Sequence, residues 1–193
     1  MSISELISRA AGTVTELVAE PGRLGPRDGR TPCADFDVHE LCEHLLNSMN
    51  ISKTAVRREV WPDGRWLEMD QPPWLKFPAE LASLTEAWSA PGALDGEVAL
   101  KGRTITAKVG AGITLMELVV HGWDLARAGG GDIRFDDDVL AVAMAQVERL
   151  SGTLRGRPGG FGPQVLVAPD ANTLDRIVAL TGRDPLWHPH PAP

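Results

Sequence analysis

With 193 residues and a hydrophobic fraction of 43%, the chain can bury one sizeable core and is short for two, so a single domain is expected. No apolar run approaches the roughly 18 to 20 residues that span a bilayer, and residues 1–18 lack the basic start and cleavage site of a signal peptide, which predicts a cytoplasmic protein with no membrane partner. The net charge of -7 and a pI near 5.2 oppose an extended nucleic-acid contact, because counterion release needs a clustered basic surface.

Leu6, Ile7, Ala10, Val14, Leu17 and Val18 recur at helical spacing and predict a first helix over about 4–20, stopped by Pro21-Gly22. Asp37 followed three residues later by Glu40 reads as an acidic capping box. It opens a second helix, 38–59, with Val38, Leu41, Leu45, Met49 and Val56 along one stripe and Trp61-Pro62-Asp63-Gly64 beyond its end. The stretch from there to Gly112 is irregular. It carries Trp61, Trp66 and Trp74, a Pro-Pro pair, a short helix around Pro78 to Trp88, and a candidate hairpin in which Glu97 to Leu100 and Arg103 to Ala107 flank Lys101-Gly102. A connection of that length carries function or crosses the bundle.

Residues 112–128 are apolar around most of the helical circumference and end at three glycines, the pattern of a buried helix with a C-terminal stop. A further helix is expected over 136–154, with Asp136 to Asp138 at its positive end. The tail, 160–187, reads as an extended strap followed by a short helix from about Asn172 to Thr181. The expected fold is mostly all-α: a four-helix bundle of 4–20, 38–59, 112–128 and 136–154 with a long crossover.

Chemistry concentrates on the most apolar of these helices. Glu117, His121 and Asp124 stand at i, i+4 and i+7 and share a face. Unpaired charge buried there is costly, and a divalent metal ion would satisfy the group. An i, i+4 carboxylate and imidazole can reach one ion, and a third ligand must come from another helix. His44 is the best placed, beside Leu41 and Leu45, and completes a His2Glu set with open positions. The alternative is a buried histidine that hydrogen-bonds a carboxylate and binds nothing.

The remaining polar groups carry less. His39 and Glu43 repeat the spacing, but His39 falls in a first helical turn and is expected to be solvated. His188 and His190 flank Pro189 in the tail. Cys42 lies on nearly the opposite face from His44 and reads as a small core residue, and Cys33 sits in a loop after Pro32. With no C-x-x-C spacing, a disulfide framework is excluded and two reduced thiols are expected. Asp124 could orient His121, or pair with Arg127 or Arg155. The tryptophans could cover the core or form a lid.

Two stretches, Thr31-Pro32-Cys33-Ala34-Asp35-Phe36-Asp37-Val38 leading to Glu43-His44-Leu45-Leu46, and Glu117-Leu118-Val119-Val120-His121-Gly122-Trp123-Asp124-Leu125-Ala126, carry a family likeness. The chain resembles the DinB-like superfamily, and within it metal-binding proteins related to mycothiol-dependent maleylpyruvate isomerase. Gly182-Arg183-Asp184-Pro185 with Trp187 resembles the ending of that subgroup.

The resemblance implies a four-helix bundle with a long crossover and metal ligands at His44, Glu117 and His121, the positions already reached from spacing. The ligand set accepts zinc or nickel alike, and the resemblance further implies a low-molecular-weight thiol such as mycothiol, bound by the ion, whose thiolate attacks a small electrophile. On that basis a metal- and thiol-dependent transferase or isomerase is expected, as a monomer or homodimer. Asp124 and Arg127 would serve the catalytic site, and Arg183 would bind an anionic cofactor group. After residue 155 only a strap and a short helix are expected, where the isomerase carries an additional domain, so the likeness speaks to the site and not to the substrate. Metal-assisted water chemistry, as a hydrolase or lyase, and a non-catalytic carrier whose pocket Trp61, Trp66 and Trp74 line are the rival readings.

Overall fold

The structure, a computed structural model, describes residues 1–59, 72–100, 102–157 and 159–189. Helix α1 (Ile3–Ala19) opens on a reciprocal cap in which the Ser2 hydroxyl accepts from the Glu5 amide and the Glu5 carboxylate accepts from the Ser2 amide. Asp37 and Glu40 make the same exchange at the head of α2 (Val38–Val56), as the spacing predicts.

Helix α2 stops three residues short of the expected Glu59. Arg58 adopts a left-handed backbone with φ 60°, and the amides of Arg58 and Glu59 turn back to the carbonyls of Ala55 and Thr54. That is a Schellman ending with arginine where glycine is usual. The Arg58 guanidinium donates to the carbonyl of Asp95 at 2.5 Å, which holds the unusual residue in place.

Helix α3 (Phe77–Ser89) carries Pro78 in its first turn, where a missing amide costs nothing. Strands β1 (Glu97–Leu100) and β2 (Arg103–Thr106) pair antiparallel, Glu97 opposite Thr106 and Leu100 opposite Arg103. The second strand ends one residue before the expected Ala107, because α4 (Ala107–Ala128) begins there. The α4 start at Gly112 expected from sequence is five residues late: Thr106 caps the helix by accepting from the Val109 amide at 3.4 Å. Gly110 then lies inside the helix where a Cβ would meet the Val98 side chain at 3.2 Å, so it serves close packing against the hairpin and not a helix start. Helices α5 (Asp137–Leu154) and α6 (Thr173–Leu180) follow.

Helices α1 and α2 each pack against both α3 and α4, α5 packs against α4 and α1, and α6 packs on α5. Buried residues from all six helices join in one main core. Helix α3, expected only as a short element inside the connection, is a full part of it. The reason is burial: Phe77, Leu81, Leu84 and Trp88 of α3 are all essentially inaccessible, and Trp88 Nε1 donates to Ser52 Oγ of α2 at 2.9 Å. Asp136 and Asp138 at the head of α5 take up the Arg9 guanidinium of α1. The chain is mostly helical with one small two-stranded sheet. Among the described residues, no helix is long and apolar enough to cross a membrane.

Candidate metal centre

The face of α4 that carries Glu117, His121 and Asp124 turns toward α2 and the C-terminal segment. His44 of α2 and His121 of α4 both aim Nε2 at one oxygen of Glu117, at 3.6 and 3.5 Å from its Oε2. Two donors about 2.0 to 2.1 Å from a tetrahedral ion stand about 3.3 to 3.4 Å apart, so these separations lie close to the edge of such a site. The three donors all lie within 4.8 Å of one another and form a group that could hold a metal ion. The side chains of His44, Glu117 and His121 keep 18%, 16% and 10% of their surface exposed, so none of the three is wholly shut off from solvent.

The reverse side of His121 is closed. Its Nδ1 lies 2.9 Å from Asp124 Oδ2, and Asp124 has no exposed surface. Arg183, itself buried, donates from Nε to Asp124 Oδ1 at 3.2 Å and from Nη2 to Oδ2 at 3.0 Å. Burial acts to raise the Asp124 carboxyl, but the Arg183 charge and the His121 hydrogen bond outweigh it and hold the group below its ordinary value. Burial likewise acts against the Arg183 charge, and Asp124 more than offsets it. An ionised Asp124 can only accept, so the His121 proton belongs on Nδ1 and the Nε2 lone pair faces Glu117 and His44.

A compact turn before α2 serves both sides of the centre. The Thr31 hydroxyl donates to the carbonyls of Cys33 and Phe36 at 2.9 and 2.8 Å, and the Phe36 amide donates to Cys33 O at 3.0 Å. Phe36 is thereby set against His44, with ring centroids 4.7 Å apart. Cys33 comes within 4.8 Å of the donor atoms of His121 and Asp124, a second group that could hold a metal ion. Burial pushes the Cys33 thiol up to about 11, against the pull of Arg183. No spacing rule could connect this loop cysteine to α4; its only signal was the Thr-Pro-Cys stretch upstream of the helix.

Other sequence expectations resolve as follows. Arg183 lies at the centre as the buried partner of Asp124, where sequence offered Arg127 or Arg155 for that pairing. Arg127 pairs with Asp132 at 2.8 Å and lies over the Trp123 ring at 5.5 Å. Arg155 donates to the carbonyls of Gly162 and Leu180 and ties the strap down. His39 and Glu43 pair at 3.4 Å on the partly exposed flank of α2. Trp74 stacks under Arg27 at 5.0 Å and packs against the core. Trp61, Trp66 and His190 lie outside the described residues, and His188 is exposed. Cys42 is fully buried, its thiol pushed by burial up to about 12, as befits a core residue.

The chain is similar to two uncharacterised proteins from two strains of Mycobacterium tuberculosis, each 24% identical over 160 residues, which cover 80% of this chain and 84% of the relative. No family model and no solved structure matches it.

Proposed function

We propose that this chain is a metal-dependent protein of the DinB-like kind, in which His44, Glu117 and His121 hold one divalent cation, zinc or nickel. The observation that carries the reading is the convergence of two imidazole nitrogens on one carboxylate oxygen, with the His121 tautomer fixed from behind by Asp124. The mutual packing of α1, α2, α3 and α4 supports a four-helix bundle, with α3 inside the long connection between α2 and α4.

The activity that fits best is a thiol-dependent transfer or isomerisation of a small electrophile. A divalent cation at this position lowers the pKa of a bound thiol, so that thiolate persists near neutral pH. The protein's own residues then have distinct tasks. His44, Glu117 and His121 supply three donors and leave the solvent side open for the thiol. Asp124 keeps the proton on Nδ1, and Phe36 packs on His44 and fixes its ring plane. Arg127, at the end of α4 near the Pro185 carbonyl, and Arg183 beside Asp124 are the cations offered to an anionic group of the cofactor.

Metal content of untagged protein, measured by plasma mass spectrometry, tests the reading. Wild type is expected to hold close to one equivalent, and His44→Ala, Glu117→Ala and His121→Ala are expected to lose it while keeping their helical circular dichroism. No metal in the wild type after reconstitution with zinc or nickel rejects it. Turnover of electrophiles that is unchanged by removing thiol would move the assignment to metal-assisted hydrolysis or lysis.

A further inference from the structure

His121 belongs to two overlapping three-donor groups. Its Nε2 faces Glu117 and His44 and its Nδ1 faces Asp124, while Cys33 comes within 4.8 Å of donor atoms of both His121 and Asp124. Both groups satisfy the same distance criterion, so spacing alone does not say which edge receives a cation. A site of His, Cys and Asp would also suit zinc, and its thiolate is the softer donor.

What separates the two edges is a charge. Arg183 donates to both oxygens of Asp124 and is held from its other side by the Thr181 carbonyl at 3.2 Å. The turn that delivers it is fixed: Gly182 takes φ +94°, and a Cβ there would come within 2.6 Å of Gly162 Cα. A dication on the Nδ1 edge would have to sit beside this buried guanidinium, which does not deprotonate, and would have to displace it from Asp124. Arg183 also acts on Glu117 through its charge, but its hydrogen bonds go to Asp124 and the Thr181 carbonyl, so a cation on the Nε2 edge has none of them to displace.

Resting on the metal reading above, we propose that Arg183 is a positioning residue that directs the cation to His44, Glu117 and His121 by denying it the overlapping Cys33, His121 and Asp124 set. Removing the guanidinium frees Asp124 as a ligand. The Cys33 thiol then loses its proton to solvent and its sulfur bonds the metal, one metal–sulfur bond replacing one sulfur–hydrogen bond with no redox change. His121 changes tautomer: its proton moves from Nδ1 to Nε2, on the side of Glu117, and the neutral ring binds through Nδ1.

Cobalt(II) substitution reads the ligand set directly, because a thiolate ligand adds an intense charge-transfer band in the near ultraviolet that nitrogen and oxygen ligands lack. Cobalt-loaded wild type and Arg183→Lys are expected without the band, Arg183→Met with it, and the double variant Arg183→Met/Cys33→Ser without it again. A band in the wild type, or a folded and cobalt-loaded Arg183→Met that lacks one, overturns the proposal. Should Arg183→Met not fold, Arg183→Gln takes its place, because a neutral amide can still hydrogen-bond Asp124 while the charge is gone: the sulfur band is expected, and a folded, cobalt-loaded variant without it overturns the proposal. A wild type that binds no cobalt at all rejects the metal reading itself, whereas a sulfur band in the wild type rejects only the role of Arg183.

Discussion

His121 Nδ1 lies 2.9 Å from Asp124 Oδ2, and the two side chains sit on adjacent turns of one helix with the carboxylate wholly shielded from water. Three residues of sequence thus set the protonation of a ring whose other nitrogen faces Glu117. A neutral imidazole has one proton to place, and an ionised carboxylate takes it. The lone pair on Nε2 is left toward Glu117 and His44, where a cation would join it to the carboxylate and the second imidazole.

Asp124→Asn removes the charge and keeps the shape. The Arg183 guanidinium then remains buried without its counter-charge, a loss that costs about 3 to 5 kcal/mol when a buried pair is broken. The His121 tautomer is no longer enforced, and metal affinity is expected to fall by about 10- to 100-fold. Urea unfolding and competition with a metallochromic dye measure the two separately. Unchanged metal affinity in a folded Asp124→Asn variant would remove Asp124 from the centre.

How far the sequence reached depends on the range of the contact. The i, i+4, i+7 face of α4 was legible because helix geometry alone fixes it, and so was the Asp37–Glu40 capping box, whose members lie three residues apart. The pairing of Asp124 with Arg183 spans 59 positions, and no local pattern distinguishes Arg183 from Arg127 or Arg155. Cys33 was equally hidden, because its approach to His121 depends on how the turn at Thr31 folds back over α4. Helix α3 was undervalued for a different reason: it is short and follows two prolines, so it read as part of a connection, although Phe77, Leu84 and Trp88 make it core.

Zinc should stabilise the fold without being required for it, because α1 to α4 bury a continuous apolar core that does not include the ligands. At a free concentration of about 100 times its Kd, a ligand bound only by the native state adds about 2.7 kcal/mol. Thermal unfolding with and without zinc is expected to show a shift of that order in the wild type and none in His121→Ala. An equal shift in both proteins would place zinc elsewhere.

The Arg9 contact with Asp136 and Asp138 joins α1 to the head of α5 at the surface. The hydrogen bond from Arg9 holds the Asp138 carboxyl below its ordinary value. A depressed folded-state pKa gives stability that is present above the ordinary carboxylate value of about 3.9 and is lost as pH falls through the folded value. Because these groups are solvated, the effect is expected to be small and screened by salt. Arg9→Gln should lower the urea midpoint slightly at neutral pH and low salt, and should match wild type in acid or at high salt. A difference that persists at high salt would mean packing, not charge, is what Arg9 contributes.

Helix α3 lies inside the connection yet contributes fully to the core. Its Leu84 is fully buried, whereas Leu150 near the end of α5 is only partly buried against the same core. Truncating a fully buried leucine removes its transfer free energy and leaves a cavity, together about 2 to 5 kcal/mol. Leu84→Ala is therefore expected to cost in that range, and Leu150→Ala clearly less, since part of its surface already meets water and its site can relax. Urea denaturation of both variants beside the wild type decides the order. If Leu150→Ala proved the more damaging, Leu84 would not hold the place in the core that its burial assigns to it.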